Sequence, residues 1–382
     1  MWRTLAALVL SASSALAANL YVDANNPEGY ATIGDAVRRA QAGDVIYISE
    51  GFYAEQVSLG KKVSLIGEGA DRVIVSYAQS GNAIDVSATV DSTAHLEGMT
   101  IIAKSGVGVA VAQGGGITLR SCTIRGCGQQ AVNLNTSASV VQLCQLAENA
   151  NGALYTYGDQ GSIITNNVIN GNGGVSTAWG WTGAVVFHDN PGRAIFANNL
   201  VKGSTGSVMA AVLCAGGAPS ISNNVITANS GFGIAAYYGG SGPAAPTITS
   251  NIVMGNSIGI EVQSATPVIT YNDVVDNTSA DYSNSARDDM GGISQDPEFV
   301  NANTGDYHLR DTSPCIDAGV PGAANADPDG SRNDMGIYGG PYAAFWVEPY
   351  TGPVVTSLEV SPSSVQQGGT ITVRATGTTV RD

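Results

Sequence analysis

SIITNNVINGNGG, residues 162–174, and SISNNVITANSG, residues 220–231, are two versions of one phrase. Each runs apolar, polar, Asn, then an apolar pair, and closes on Gly or Asn soon after. Looser copies surround Gly98 (LEGMTI), Cys122 (SCTI), Cys144 (LCQL), Asn199 (NNLV), Asn251 (NIVM) and Asn272 (NDVV). From Gly98 through Cys122, Cys144, Asn167, Asn199, Asn224, Asn251 and Asn272 the spacings are 24, 22, 23, 32, 25, 27 and 21 residues. Repetition at about 20–50 residues is the mark of a solenoid. One such unit cannot bury its inward side chains alone, but stacked units share a continuous core. Short strand-like patches ending in turns such as Asn170-Gly171-Asn172-Gly173 make the repeat a coil of a parallel β-helix. Equivalent positions then stack along the axis. Asn167, Asn199, Asn224, Asn251 and Asn272 are expected to form a ladder of amides bonded to the coils above and below. Cys122 and Cys144 share that position, as a small apolar stack or a disulfide.

Composition agrees with such a chain and excludes several functions. Hydrophobic residues make up 43% and charged residues only 12%, which is the reverse of what disorder requires. The 49 glycines suit frequent tight turns. A formal charge of −15 with only 16 Lys and Arg argues against nucleic acid or an anionic membrane as partner. Five scattered cysteines (Cys122, Cys127, Cys144, Cys214, Cys315) lack the paired spacings of a zinc site.

The N-terminus reads as an export signal. Arg3 precedes the apolar run 5–10, and Ala15-Leu16-Ala17 offers a small-x-small cleavage site. Residues 1–17 are thus expected to be removed, leaving an extracellular or cell-surface protein, a monomer, with no transmembrane segment. Thr32 to Ala42 predicts a short helix capping the solenoid. Ile33, Ala36, Val37 and Ala40 lie at helical spacing, Thr32 and Asp35 suit a capping box, and Gly43 stops it. Asp44–Ser49 follows as a buried strand, then a turn at Glu50-Gly51, then Phe52–Leu59.

The run TIGDAVRRAQAGDVIYISEGFYAEQVSLGKKVSLIGEG, residues 32–69, resembles the opening module of the pectate-lyase-like superfamily. SQDPEFVNANTGDYHLRDTSPCIDAGVP, residues 294–321, with DPDGSRNDMGIYGG, residues 327–340, is similar to the terminal module of bacterial right-handed β-helix repeat proteins. The resemblance implies an all-β fold, a right-handed parallel β-helix over residues 18–345, with its terminal module at 290–345. It does not select a reaction, since the superfamily includes lyases, hydrolases, esterases, epimerases and non-catalytic adhesins. After a linker at 346–355, residues 356–382 look like the first two strands of an immunoglobulin-like domain. Such a domain needs about 100 residues, so either a missing C-terminal region is expected to continue it and to serve surface attachment, or residues 356–382 are a short tail.

The reactions of the superfamily make demands that can be checked. Pectin methylesterases use two aspartates, an arginine and a glutamine. Gln130-Ala131-Val132 echoes the glutamine motif, but no aspartate pair follows. Hydrolases need an acid and a base flanking the scissile bond. Between residues 101 and 271 the only carboxylates are Glu148, Asp159, Asp189 and Glu261, each in a different coil. Lyases need a Lys or Arg base and, in many cases, calcium held by acids; Arg193 is a candidate base, but no acidic cluster stands beside it in the sequence.

The 32-residue coil between Asn167 and Asn199 stands out, because solenoid insertions map to surface loops. It carries Trp179, Trp181, His188, Asp189 and Arg193. His188 with Asp189 could exchange protons, and Arg193 could neutralise a uronate. Neighbours on a strand point to opposite faces, so His188 and Asp189 cooperate only across a turn. Counted from the ladder, Tyr155 and Tyr157, Trp179 and Trp181, and Tyr237 and Tyr238 fall at similar positions. This predicts an aromatic stripe for sugar rings, with Tyr155, Tyr157, Trp179, Trp181 and Tyr237 as the carbohydrate-binding candidates. Asp327, Asp329 and Asp334 around Gly330 resemble part of a calcium loop that lacks its final glutamate. The expectation is a protein that binds extracellular polysaccharide without efficient catalysis. The alternative is a polysaccharide lyase or glycoside hydrolase acting on a uronate-containing or other cell-wall glycan.

Overall fold

In the computed structural model, residues 17–23, 29–136, 138–190, 194–206, 208–343, 353–361 and 372–379 are described. The signal segment and Arg193 therefore lie outside the described residues, Ala17 excepted. Up to Ala343 the chain is one unit, a parallel β-solenoid with three sheets. An eleven-stranded sheet starts at Asn19–Val22 and ends at Val268–Thr270, and a ten-stranded sheet runs from Gly51–Tyr53 to Asp273–Val275. The twelve-stranded sheet runs from Val57–Leu59 to Ala280–Asn284 and gains two short antiparallel hairpin strands, Val175–Ser176 and Gly242–Pro243. Each coil visits the three in turn, as in Val140–Gln142, Gln145–Ala147 and Leu154–Tyr157. Phe52–Leu59, expected as one strand, is split between two sheets by the corner at residues 54–56.

One corner of the coil is set by single left-handed residues. Ser121, Leu143, Asn166, Asn198, Asn223, Ser250 and Tyr271 all have φ between 51° and 58° and turn the chain from the eleven-stranded to the ten-stranded sheet. Single residues of this kind reverse the chain locally without starting a left-handed helix. Gly98 plays this part in its own coil, at φ 67°. The residue beneath Cys122 is therefore Met99, one place later than the spacing suggested, as the pairing of Thr100 with Thr123 requires.

The residue after each such turn points inward and forms the expected ladder. Asn167 Nδ2 donates to Asn199 Oδ1 at 2.9 Å, Asn199 to Asn224 at 3.1 Å, Asn224 to Asn251 at 2.9 Å and Asn251 to Asn272 at 3.0 Å. Each oxygen also accepts the backbone N–H of the preceding Asn, as Asn199 Oδ1 does from Asn167. Five residues further on lies a second ladder that the sequence reading missed. Asn149 donates to Asn172, Asn229 to Asn256 and Asn256 to Asn277. Both ladders end on a carboxylate: Asn272 donates to Asp288 and Asn277 to Asp281. Asp only accepts when ionised, so it closes a chain of donors without leaving an N–H unpaired. The five cysteines are buried and free, so Cys122 and Cys144 stack as thiols.

The N-terminal helix, Ile33–Arg39, covers the first coil with Ile33, Ala36 and Val37 buried. Thr32 caps it by accepting from Asp35 N at 3.1 Å. The other half of the capping box is replaced: Glu55 accepts from Ile33 N and Gly34 N, while Asp35 pairs with Arg38. At the far end, residues 290–343 fold back along the left-handed corner. Asn166 donates to Tyr342 O, Asn198 to Ile337 O and Gly339 O, and Asn223 to Asp334 O. The doublets Asn166-Asn167, Asn198-Asn199 and Asn223-Asn224 thus divide the work, the first Asn holding the terminal module and the second the ladder. Residues 344–382 form a separate unit, in which Pro353–Ser361 and Thr372–Thr379 pair antiparallel. Two strands do not establish an immunoglobulin-like domain.

Candidate functional site

The outer face of the twelve-stranded sheet gathers most of the chemistry predicted from the long coil. Strand Thr182–Asn190 lies between Leu154–Tyr157 and Ala210–Gly217. Its Phe187 packs inward against Phe196 at 5.7 Å, which turns His188 outward beside Tyr157 in register. His188 is nonetheless only 4% exposed. The Tyr155 hydroxyl lies 2.7 Å from its Nδ1, and the Tyr157 ring stands edge-on to it with centroids 5.2 Å apart.

Asp189 should point into the core, and a local reversal prevents it. Its φ of 50° is left-handed, and the carboxylate swings back to place Oδ2 3.4 Å from His188 Nε2. Ser241 holds Oδ1 through its backbone N–H at 2.8 Å and its hydroxyl at 3.0 Å. Three glycines leave room for this carboxylate. A Cβ on Gly216, Gly239 or Gly240 would come within 2.5, 2.6 and 2.6 Å of its oxygens. The pairs Gly216-Gly217 and Gly239-Gly240 in successive coils were the sequence signal for this cradle, unread among so many glycines.

The protons can be assigned from these contacts. Burial lowers the His188 pKa and Asp189 only partly opposes it, so the ring is neutral near pH 7. The carboxylate beside Nε2 favours the proton there, and Nδ1 then accepts from Tyr155. Burial pushes the Tyr155 hydroxyl up to about 12, with Tyr157 and Asp189 adding to it. Tyr155 therefore stays protonated, and its remaining lone pair can accept from a ligand.

The aromatic stripe is present in part and in a different register. Tyr157, His188, Ala215 and Tyr237 share one row across four strands. Val186, rather than a tryptophan, sits beside Tyr155. The extra residues of the long coil precede the strand and form a hairpin, so counting from the ladder misplaced the tryptophans. Trp181 folds onto Tyr237 with centroids 4.8 Å apart, over an outer cluster that includes Val175, Val186, Leu213 and Ala235. Tyr237 is buried by this contact, while Trp179 at the hairpin, Tyr157 and Tyr238 are exposed.

Two further groups extend the face. Toward the C-terminus, buried Glu261 accepts from Asn284 through Oε1, and its Oε2 has no partner among the described residues. Its charge, added to burial, raises the Tyr237 pKa. Toward the N-terminus, Asn133 and Asn135 lie in register with Tyr155 and Tyr157. They open onto a groove of about 340 Å³ floored by Ala110, Asp85 and Ser58.

The acidic turn near Gly330 is built differently from a calcium loop. Asp327 accepts from Asp334 N and Gly340 N, Asp334 from Asp317 N, and Asp329 from Ser331. Arg332 donates to Gly319 O. Among the described residues no three His, Cys, Asp or Glu side chains converge to hold a metal ion.

Solved structures similar to this chain include the pectate lyase Pel9A, with a TM-score of 0.60 at 12% identity, covering 86% of this chain and 97% of that one. The Dettilon tailspike protein gp208 reaches a TM-score of 0.50 at 13% identity over 68% of this chain and 55% of its own. At these identities the likeness is one of fold. No curated protein sequence matches the chain. Residues 68–213 and 107–288 match the family described as the right handed beta helix region, and the chain belongs to that family.

Proposed function

We propose that the outer face of the twelve-stranded sheet binds an extracellular polysaccharide lying along the solenoid axis. The observation that carries this is Tyr157, an exposed ring standing on a buried His188 that Tyr155 and Asp189 lock in place. A rigid aromatic surface presents a large contact area to the apolar face of a sugar at little entropic cost. Asn133 and Asn135 beside it supply donors and acceptors for sugar hydroxyls. Export from the cell, read from the N-terminal segment, would bring the protein to such a ligand. A fold shared with a pectate lyase is consistent with this use.

The same geometry argues for binding over efficient turnover. Both nitrogens of His188 are engaged inside the protein, which leaves Tyr155 as the group able to meet a substrate. With its pKa raised, Tyr155 is a poor base. The second reading, a lyase or hydrolase, rests on the chain Tyr155–His188–Asp189, which resembles a proton relay. A depolymerisation screen across uronate and neutral cell-wall polysaccharides, with and without calcium, separates the two. Binding without release of shorter or unsaturated products is expected. Rapid product formation that is lost in Tyr155→Phe would establish the enzyme instead.

A further inference from the structure

A second site lies on a different face. The terminal module does not lie flat against the solenoid, and it leaves a groove of about 500 Å³ over the last strands of the eleven-stranded sheet. Ser220, Thr247 and Val268 form one outward row there, and Ser222, Thr249 and Thr270 the next, in unbroken register. Neighbouring strands put successive side chains of a row about 4.8 Å apart. The five hydroxyls of these rows make no hydrogen bond to the described residues, whereas most of the inward polar groups of the same coils are paired. Tyr342 and Pro341 form the opposite wall, with Tyr342 fixed through its carbonyl by Asn166. Among the described residues no charged side chain lines the groove.

From this juxtaposition we propose that the groove between the terminal module and the eleven-stranded sheet binds an uncharged oligosaccharide. Free hydroxyls at regular spacing match the hydroxyls of a sugar chain, and the Tyr342 ring and Pro341 suit the apolar face of a pyranose. Among the described residues the lining offers no counter-charge to the carboxylates of an acidic glycan, which suits a neutral one. An extended peptide would need free backbone groups, and those of the sheet are already paired coil to coil. The site is independent of the proposal for the twelve-stranded sheet.

Calorimetric titration of the full chain with xylohexaose, cellohexaose and an oligogalacturonate tests it. A neutral hexasaccharide is expected to bind through this groove. Thr249→Val with Thr270→Val keeps the side-chain shape, removes two hydroxyls and should weaken binding about tenfold or more. Tyr342→Ala should do likewise, and Tyr157→Ala should leave this binding unchanged. Ser222→Ala, a smaller change, should weaken it severalfold and serves if the double variant melts early. The proposal is overturned if neither neutral hexasaccharide binds, if the hydroxyl variants bind as the parent does, or if Tyr157→Ala abolishes the binding.

Discussion

The asparagine ladders and the His188 cluster both take polar groups out of water, by opposite means. In the first ladder each amide from Asn167 to Asn251 meets the same amide one coil on, so translation along the axis satisfies these members with one residue type. At His188 the left-handed turn recurs in other coils, at Thr136, Gly158, Gly216 and Ser264, but the side chains do not repeat. A left-handed Asp, a serine from a distant hairpin and three glycines from two other coils are assembled once. Repetition stabilises the solenoid, and its local interruption marks the place where the outer surface becomes specific. That contrast supports the proposed binding face more firmly than any single residue does.

Breaking the ladder should have the largest effect on stability. Asn224→Ala removes an amide that donates to Phe196 O and Asn251 Oδ1, and it leaves buried backbone groups unpaired. At about 1–3 kcal/mol for each buried group left unsatisfied, a loss of about 3 kcal/mol or more is expected in urea denaturation. Asn223→Ala, one residue earlier, loosens only the terminal module and should cost less.

Breaking the one-off site should separate function from stability. Gly240→Ala would push a methyl group against Asp189 Oδ2 and displace the carboxylate from His188. Loss of most glycan binding is expected, with a destabilisation of about 1–2 kcal/mol measured in the same denaturation series.

The pH dependence sharpens the comparison, because amides do not titrate. Ladder variants should lower stability by the same amount at every pH. His188 has a lowered pKa, so below its ordinary value of 6.5 the unfolded chain takes up a proton that the native site resists. Stability therefore falls as the pH drops through that value, and His188→Gln should remove this loss. Asp273, buried in the last coil and raised to about 6, acts in the opposite sense. The native state holds its proton up to about 6 while the unfolded chain gives it up near 3.8, so stability falls as the pH rises between them. Asp273→Asn should flatten that limb, and urea midpoints collected across this range check both.

What could be read from sequence follows the same division. The first ladder and the capping helix were legible because each recurs or carries a dense local pattern. The second ladder was hidden because Cys127 and Ser204 interrupt it and its Asn residues had the look of turn residues. The pairing of His188 with Asp189 depends on one backbone dihedral, which residue type alone does not specify. Trp179 and Trp181 were placed in the wrong row because an insertion before a strand shifts any count from the ladder. Ser241 and Glu261 carry no local motif and reach the face through coil stacking alone.

The smallest change with the greatest bearing on function is Tyr157→Ala. Its ring is 44% exposed and packs on His188 from outside, so its loss should cost less than about 1 kcal/mol of stability. Binding of parent and Tyr157→Ala proteins to an array of plant and bacterial cell-wall polysaccharides tests the central claim directly. On glycans that a Tyr342→Ala protein still binds, the account predicts a defined signal for the parent, reduced about tenfold or more in Tyr157→Ala while both melt alike. Equal signals from the two proteins, or none from the parent, would contradict it.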